Sequence, residues 1–131
     1  MKDFQTVKIF VVDDDPFYLH IVAQELKQKH FKNLHLFNNG EDCINNLHQN
    51  PDVIILDYRM ESMNGLEVMK KVKSINPEVI IIFLTAQKQL KVAIDTIKEG
   101  AFDYIEKGDN AAVALSDKIF SALEILNAPK K

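Results

Sequence analysis

The sequence predicts an α/β protein in which parallel strands form one open sheet covered by helices. Three apolar runs carry this prediction, at residues 7–12, 53–56 and 79–84, and each is of strand length and rich in β-branched residues. None of them alternates with polar residues, so both faces of each strand are expected to be buried between helical layers. Segments with helical spacing separate the runs, and this alternation favours right-handed crossovers.

Two weaker strand candidates, at residues 33–37 and 102–105, complete a predicted order of strand and helix repeated five times. Asp15 and Pro16 predict the start of the first helix, because aspartate is a common N-cap and proline fits the first helical position. This helix is expected to run to about Lys29.

The other four helices are predicted from apolar residues at intervals of three and four. A short second helix is expected over residues 41–49, a third ends before Pro77, a fourth closes at Gly100, and a fifth ends near Leu126. The repeating positions are Ile44 and Leu47; Leu66, Met69 and Val72; Leu90, Ala93, Ile94 and Ile97; and Leu115, Ile119, Leu123 and Leu126.

Length and composition predict one soluble domain over residues 1–131, with its core over about residues 7–126. The chain is 47% hydrophobic with a net charge of −3, which gives no reason to expect nucleic-acid binding by this segment. Cys43 is the single cysteine, and no apolar run approaches the roughly 20 residues of a membrane span. A cytoplasmic location is therefore expected. Whether an output domain follows Lys131 stays open.

Chemically active side chains follow several of the predicted strands. Asp13 and Asp14 come after the first strand, Asp57 after the third, Thr85 at the end of the fourth, and Lys107 just past the fifth. In an open parallel sheet, ligands bind beyond the carboxyl ends of the strands, so these residues are expected to meet at one edge.

This combination of residues points to phosphoryl chemistry at a metal ion. Crowded carboxylates raise at least one pKa unless a cation compensates them, and Mg²⁺ prefers carboxylate oxygens. With the ion bound, Asp57 is a plausible nucleophile towards phosphorus, while Lys107 neutralises phosphoryl oxygens and the Thr85 hydroxyl donates a hydrogen bond.

Each of these residues also has an ordinary structural interpretation when it is taken alone. Asp14 fits the start of a helix, Asp57 the end of a strand, Thr85 a helix cap, and Lys107 a solvated surface position. Independent accidents would seldom place all of them at one edge, and their joint occurrence favours a functional site.

The residues also resemble a known family, the receiver domain of two-component response regulators, over nearly the whole chain. The matching motifs are Val11-Val12-Asp13-Asp14-Asp15-Pro16, Asp57-Tyr58-Arg59-Met60 with Met63-Asn64-Gly65, Leu84-Thr85-Ala86, and Gly100-Ala101-Phe102-Asp103-Tyr104-Ile105-Glu106-Lys107. The chain resembles a chemotaxis-regulator-like receiver, and the resemblance implies a flavodoxin-like (βα)5 three-layer sandwich with strand order 2-1-3-4-5. It also implies phosphotransfer to Asp57 from a histidine kinase or a phosphotransfer protein.

The resemblance assigns the Mg²⁺ ligands by position. Asp14 and Asp57 would bind Mg²⁺ directly and Asp13 through water, and the Arg59 backbone carbonyl would complete the protein ligands.

It also implies a switching domain that assists its own phosphorylation and dephosphorylation, and not a turnover enzyme. Thr85 and Lys107 would contact the phosphoryl group, and Tyr104 would be the switch aromatic that turns inward with Thr85. The usual output face is formed by the fourth helix, fifth strand and fifth helix. Through it the domain would meet an output domain or protein partner, as a monomer or a phosphorylation-dependent dimer, without contacting nucleic acid or membrane itself.

The chain departs from the family pattern at several places. Glu61 stands where a proline is usual, and Gly108 replaces the proline that usually follows the lysine, so the Lys107–Gly108 peptide can be trans. Arg59 and Gln87 occupy positions that tune the lifetime of the phosphoryl group in the family, and Arg59 is expected either to shield the phosphate or to pair with Glu61.

Three other classes of protein share features with this sequence. A flavin-binding electron carrier of the same fold would need Ser, Thr or Gly in its first loop, whereas Asp13, Asp14 and Asp15 repel phosphate without a cation. A haloacid-dehalogenase-type phosphohydrolase needs a second acid two residues after the nucleophile, where Arg59 stands. A degenerate receiver, which is not phosphorylated, is disfavoured because all five central residues are present.

Overall fold

A five-stranded parallel sheet forms the centre of the computed structural model, which describes residues 2–86 and 90–129. The strands are β1 (Ile9–Val12), β2 (Leu34–Phe37), β3 (Val53–Asp57), β4 (Ile80–Thr85) and β5 (Asp103–Glu106). Their order in the sheet is β2-β1-β3-β4-β5, and every neighbouring pair is parallel. The predicted fold class and strand order are confirmed.

The helices are α1 (Pro16–Gln28), α2 (Gly40–Asn45), α3 (Gly65–Ile75), α4 (Leu90–Lys98) and α5 (Ala111–Leu126). The single helix predicted over residues 41–49 is wrong, because α2 ends at Asn45 and a separate 3₁₀ turn covers Leu47–Gln49. Asn46 lies at the break, and its side chain donates to the Asp42 carbonyl at 2.7 Å. Such a local side-chain bond competes with the helical ladder. None of the helices in the described residues is both long enough and apolar enough to cross a bilayer.

Successive strand residues point into two separate apolar layers. Ile9, Val11 and Ile55 lie in the layer with the buried residues of α1 and α5, whereas Phe10 and Ile54 lie in the layer with those of α3. All residues of β1, β3 and β4 are buried, as the unbroken apolar runs predict. This double burial fixes the strands and therefore the loops at their carboxyl ends.

Helix caps determine how the chain leaves the strands at the carboxyl edge. Asp15 caps α1 by accepting hydrogen bonds from Phe17 N at 3.0 Å and Tyr18 N at 3.4 Å, as predicted. Asn64 caps α3 in a capping box with Glu67. The caps orient both loops that carry acidic residues.

Gly65 allows the start of α3 to pass very close to Asp57. A Cβ atom at position 65 would lie 2.6 Å from the Asp57 carbonyl oxygen and 2.7 Å from the Phe83 ring. Glycine is required at position 65 because a side chain there would collide with the end of β3. The Gly65 N–H also donates to the Tyr58 carbonyl at 2.8 Å, which holds the start of α3 near the end of β3.

Candidate functional site

The carboxyl edge of the sheet brings the predicted residues together. Asp57 ends β3, Thr85 ends β4, and Lys107 directly follows β5. Backbone hydrogen bonds tie these positions to each other, since Tyr58 N donates to Leu84 O at 3.0 Å and Lys107 N donates to Thr85 O at 2.8 Å. The site is therefore built on the ends of adjacent strands.

Three carboxylates converge in this site. Asp13, Asp14 and Asp57 each offer an oxygen atom, and these oxygens lie within 4.8 Å of one another. Asp13 is fully buried, Asp57 is 5% exposed, and Asp14 is partly buried. Asp13 also accepts a hydrogen bond from Asp15 N at 2.9 Å, which fixes its side chain in the loop after β1.

Lys107 supplies the positive charge that faces these carboxylates. Its Nζ lies 3.1 Å from Asp13 Oδ2 and 3.2 Å from Asp57 Oδ1. Burial opposes the charged form, but the carboxylates of Asp57 and Asp13 outweigh it, so the pKa of Lys107 is raised. The ammonium is therefore charged and directed at Asp57.

One ammonium does not balance the acidic cluster. Burial, followed by the charge of Asp13, raises the pKa of Asp57 from 3.8 to about 7, although Lys107 acts in the opposite direction. The site thus carries excess negative charge in a buried place, and a further cation would relieve it.

Thr85 contributes a hydroxyl with no partner in the described part of the chain. The residue is fully buried, and its Oγ1 makes no hydrogen bond there. A buried hydroxyl without a partner is costly and uncommon in native structures. Its position at the end of β4, between Asp57 and Lys107 in the sheet, suits an incoming acceptor atom.

Two contacts in the site, one of Tyr18 and one of Glu61, were not predicted from the sequence. The ring of Tyr18 lies under the Lys107 ammonium, with Nζ 4.5 Å from the ring centroid. Glu61 N donates to Asp14 Oδ2 at 3.0 Å, a bond that the usual proline at this position could not make. The only sequence signal for Tyr18 was its place three residues after the Asp15 cap.

The remaining predicted residues lie around this centre. Arg59 is exposed and forms no ion pair with Glu61 among the described residues, so the predicted pairing is not found. Tyr104 is partly buried, pairs with Phe83 in the sheet register and packs on the core layer of α3. Gln87 lies outside the described residues. The Lys107–Gly108 peptide is trans, and no cis peptide occurs in the part of the chain that is described.

The three-carboxylate cluster fits a hard divalent cation. Its donors are all carboxylate oxygens, which Mg²⁺ prefers, and burial together with the charge of Asp13 raises the pKa of Asp57, an effect that a bound cation would oppose. Asp13, Asp14 and Asp57 are the residues that could hold it.

Comparison with known proteins identifies the class to which this fold and site belong. The chain matches the response regulator receiver domain family over residues 9–119, and it belongs to that family. It is therefore a receiver domain of two-component response regulators, a signalling switch, and the flavin-carrier alternative has no support.

The relatives are longer proteins that include a similar segment. The chain is 32% identical over 104 residues to the transcriptional regulatory protein ZraR of Klebsiella oxytoca, covering 79% of this chain and 23% of that protein. It is 31% identical over 125 residues to the DNA-binding transcriptional regulator NtrC of Escherichia coli K12, covering 93% and 26%. The chain thus spans about a quarter of the length of these curated relatives.

Solved structures agree with the fold. A receiver domain protein from Clostridium thermocellum superposes with a TM-score of 0.84 at 28% identity, covering 92% of this chain and 96% of that chain. The BeF3-activated receiver domain of DrrB superposes with a TM-score of 0.77 at 31% identity, covering 89% and 97%. The flavodoxin-like architecture is confirmed.

Proposed function

We propose that Asp57 accepts a phosphoryl group from a histidine kinase or a phosphotransfer protein. The observation that carries this proposal is the pairing of Asp57 Oδ1 with Lys107 Nζ at 3.2 Å beside two further carboxylates. In the transfer, an Asp57 oxygen bonds to phosphorus while the bond from phosphorus to the donor breaks. The donor departs with the bonding electron pair, either as a histidine ring nitrogen or as acetate when acetyl phosphate is the source. The product is an acyl phosphate.

The other residues of the site have separate tasks in this proposal. Lys107 neutralises charge on the phosphoryl oxygens during transfer, and its short distance to Asp57 supports that role. The Thr85 hydroxyl donates to a phosphoryl oxygen, which would give this buried group the partner that it lacks within the described residues.

We propose Mg²⁺ as the cation of the acidic cluster. Asp14 and Asp57 would bind it directly and Asp13 through water, with the Arg59 backbone carbonyl as a further ligand. The ion would supply charge neutralisation at the phosphoryl oxygens. Asp13 and Asp14 are held for this purpose by Asp15 N and Glu61 N.

Phosphorylation is proposed to shift an equilibrium between two arrangements of Thr85 and Tyr104. Thr85 would move towards the phosphoryl group, and Tyr104 would turn into the space that it leaves. Partners would select one arrangement through the face of α4, β5 and α5, on which Lys91, Ile94 and Lys98 are exposed. The domain is proposed to be cytoplasmic and to act on either an output domain or a separate protein partner. The domain would be a monomer or a phosphorylation-dependent dimer.

The proposal is tested by titrating beryllofluoride, an analogue of the phosphoryl group, in the presence of Mg²⁺. Amide NMR spectra of the parent should change around Thr85, Tyr104 and Lys107, and the change should disappear when Mg²⁺ is chelated. Asp57→Asn, which lacks the acceptor oxygen, should not respond. An equal response of both proteins, or no response of the parent, would contradict the proposal.

A further inference from the structure

Lys107 is anchored through its backbone on one side and followed by a glycine on the other. Its backbone N–H bonds Thr85 O at 2.8 Å, but the next residue is Gly108, with a φ of 156° and no atom within 4 Å of the position where a Cβ would lie. Glycine gives this segment wide conformational freedom. A long lysine side chain also loses entropy when it is fixed in one place. Contacts from outside this loop therefore matter for the direction of the ammonium.

Tyr18 lies where it can hold that ammonium. The Lys107 Nζ is 4.5 Å from the centroid of the Tyr18 ring, which is the distance of a cation–π contact. The ring therefore contacts the same nitrogen atom that lies 3.1 Å from Asp13 and 3.2 Å from Asp57. The ammonium therefore has three neighbours, two carboxylates and one aromatic face.

The position of Tyr18 is itself fixed. Its backbone N–H donates to the Asp15 carboxylate, and Asp15 N in turn donates to the Asp13 carboxylate. The start of α1 and the acidic loop are therefore connected by hydrogen bonds. The ring packs against the core layer of α1 and α5. Burial raises the pKa of Tyr18, in keeping with this packed position of the ring.

We propose that Tyr18 is a positioning residue that directs the Lys107 ammonium at Asp57 from helix α1. This inference rests on the proposed function of Lys107 in phosphoryl transfer and adds a residue to it. The face of the ring restricts the ammonium beside Asp13 and Asp57. An ordinary packing role for Tyr18 would stabilise the fold without acting through Lys107.

A double-mutant cycle separates these two roles. The rate of phosphorylation by acetyl phosphate with Mg²⁺ is measured for the parent, Tyr18→Leu, Lys107→Ala and the double variant. Tyr18→Leu should slow the parent about fivefold to tenfold, the range expected from losing a partly desolvated cation–π contact. In the Lys107→Ala background it should change the rate less than about twofold, because the residue that it positions is gone. Equal slowing in both backgrounds would overturn the inference.

Two further variants sharpen the result. Tyr18→Phe keeps the ring, and it should keep the rate within about twofold of the parent. Phe17→Leu is the matched control, because Phe17 is the neighbouring aromatic residue, is 75% exposed and has no ring contact with Lys107 among the described residues. It should not alter the rate with acetyl phosphate. Slowing by Phe17→Leu as large as that by Tyr18→Leu would count against a specific role for Tyr18.

A spectroscopic measurement tests the contact without phosphorylation. The ε-methylene protons of Lys107 should be shifted upfield by the aromatic ring in the parent and in Tyr18→Phe, and should return to ordinary positions in Tyr18→Leu. Ordinary positions in the parent would overturn the inference even if the leucine variant failed to fold. A parent that is not phosphorylated at all would instead overturn the proposed function, and the inference would fall with it.

Discussion

The two edges of the sheet use the same residue types in opposite ways. At the amino edge, Asp52 pairs with Lys2 at 3.4 Å and accepts a hydrogen bond from Lys8 N at 2.8 Å. The Lys2 side chain there is 46% exposed. At the carboxyl edge, one ammonium faces three carboxylates, and the paired Asp13 and Asp57 side chains are only 1% and 7% exposed.

The ion pair at the amino edge stabilises the fold, whereas the excess buried charge at the carboxyl edge destabilises it. Asp52 is balanced by one cation and satisfied by a backbone donor, so it serves the structure. Asp57 is buried and lies beside Asp13, and burial first and the neighbouring charge second raise its pKa to about 7. Excess buried charge is unfavourable in the absence of a ligand, and such arrangements concentrate at functional sites.

The largest expected effect is on phosphorylation, through loss of the cation that contacts Asp57 at the carboxyl edge. Lys107→Ala should slow phosphorylation by acetyl phosphate about a hundredfold, the scale on which one charge-stabilising group acts in a buried site. The same variant should bind Mg²⁺ more tightly, because a competing positive charge has been removed. The comparison is Lys2→Ala, which removes the cation of the amino edge and should leave both quantities unchanged. Weaker Mg²⁺ binding by Lys107→Ala would contradict this description of the site.

A second pair of variants compares the edges by stability. Asp57→Asn should raise the free energy of unfolding of the metal-free protein at neutral pH by roughly 2 kcal/mol, because it removes an excess buried charge while Lys107 keeps Asp13 as its partner. Asp52→Asn should lower it by about 1 kcal/mol, because a satisfied ion pair and a good acceptor are lost. Urea denaturation in the presence of a chelator measures both. Changes of the same sign would remove the contrast between the edges.

The pH dependence should follow the direction of the Asp57 shift. Its folded-state pKa of about 7 lies above the ordinary 3.8, so the folded state binds this proton more tightly than the unfolded state does. The resulting stabilisation is complete below about pH 4 and is lost as the pH rises through about 7. The advantage of metal-free Asp57→Asn over the parent should therefore grow across this window and level off above it. A constant difference from pH 4 to pH 8 would show that the Asp57 pKa is not raised.

A more local effect is expected at the hydrogen bond from Glu61 N to Asp14 Oδ2. Glu61→Pro removes the donor, and Mg²⁺ affinity should fall about tenfold, as for other groups that orient a metal ligand. Glu61→Ala also removes the carboxylate but keeps the N–H, so it should bind Mg²⁺ like the parent. Isothermal titration gives both affinities. An equal loss in the two variants would assign the effect to the Glu61 side chain.

The sequence predicts most of the fold because strand burial is a local signal. The run before Asp57 is apolar throughout, and it forms a fully buried strand as expected. The predicted end of the second helix is wrong, because at the break the Asn46 side chain donates to the Asp42 carbonyl. Spacing alone does not reveal such a choice between side-chain and backbone partners.

The residues of the site were predicted from the sequence, but some of their contacts were not. Asp13, Asp14, Asp57, Thr85 and Lys107 were predicted, because the carboxyl ends of parallel strands must meet at one edge. The contacts of Tyr18 with Lys107 and of Glu61 N with Asp14 were not predicted. They depend on the direction of one side chain and on the path of one loop, which only the folded backbone determines.

The central claim is that Asp57, and no other carboxylate of the cluster, accepts the phosphoryl group. Borohydride reduces an aspartyl phosphate, so the parent is incubated with acetyl phosphate and Mg²⁺, reduced, digested and analysed by peptide mass spectrometry. The reduced residue should be found at position 57 alone, and it should be absent without Mg²⁺ and in Asp57→Asn. Reduction at Asp13 or Asp14 in the parent, or no reduced residue at position 57, would contradict the account.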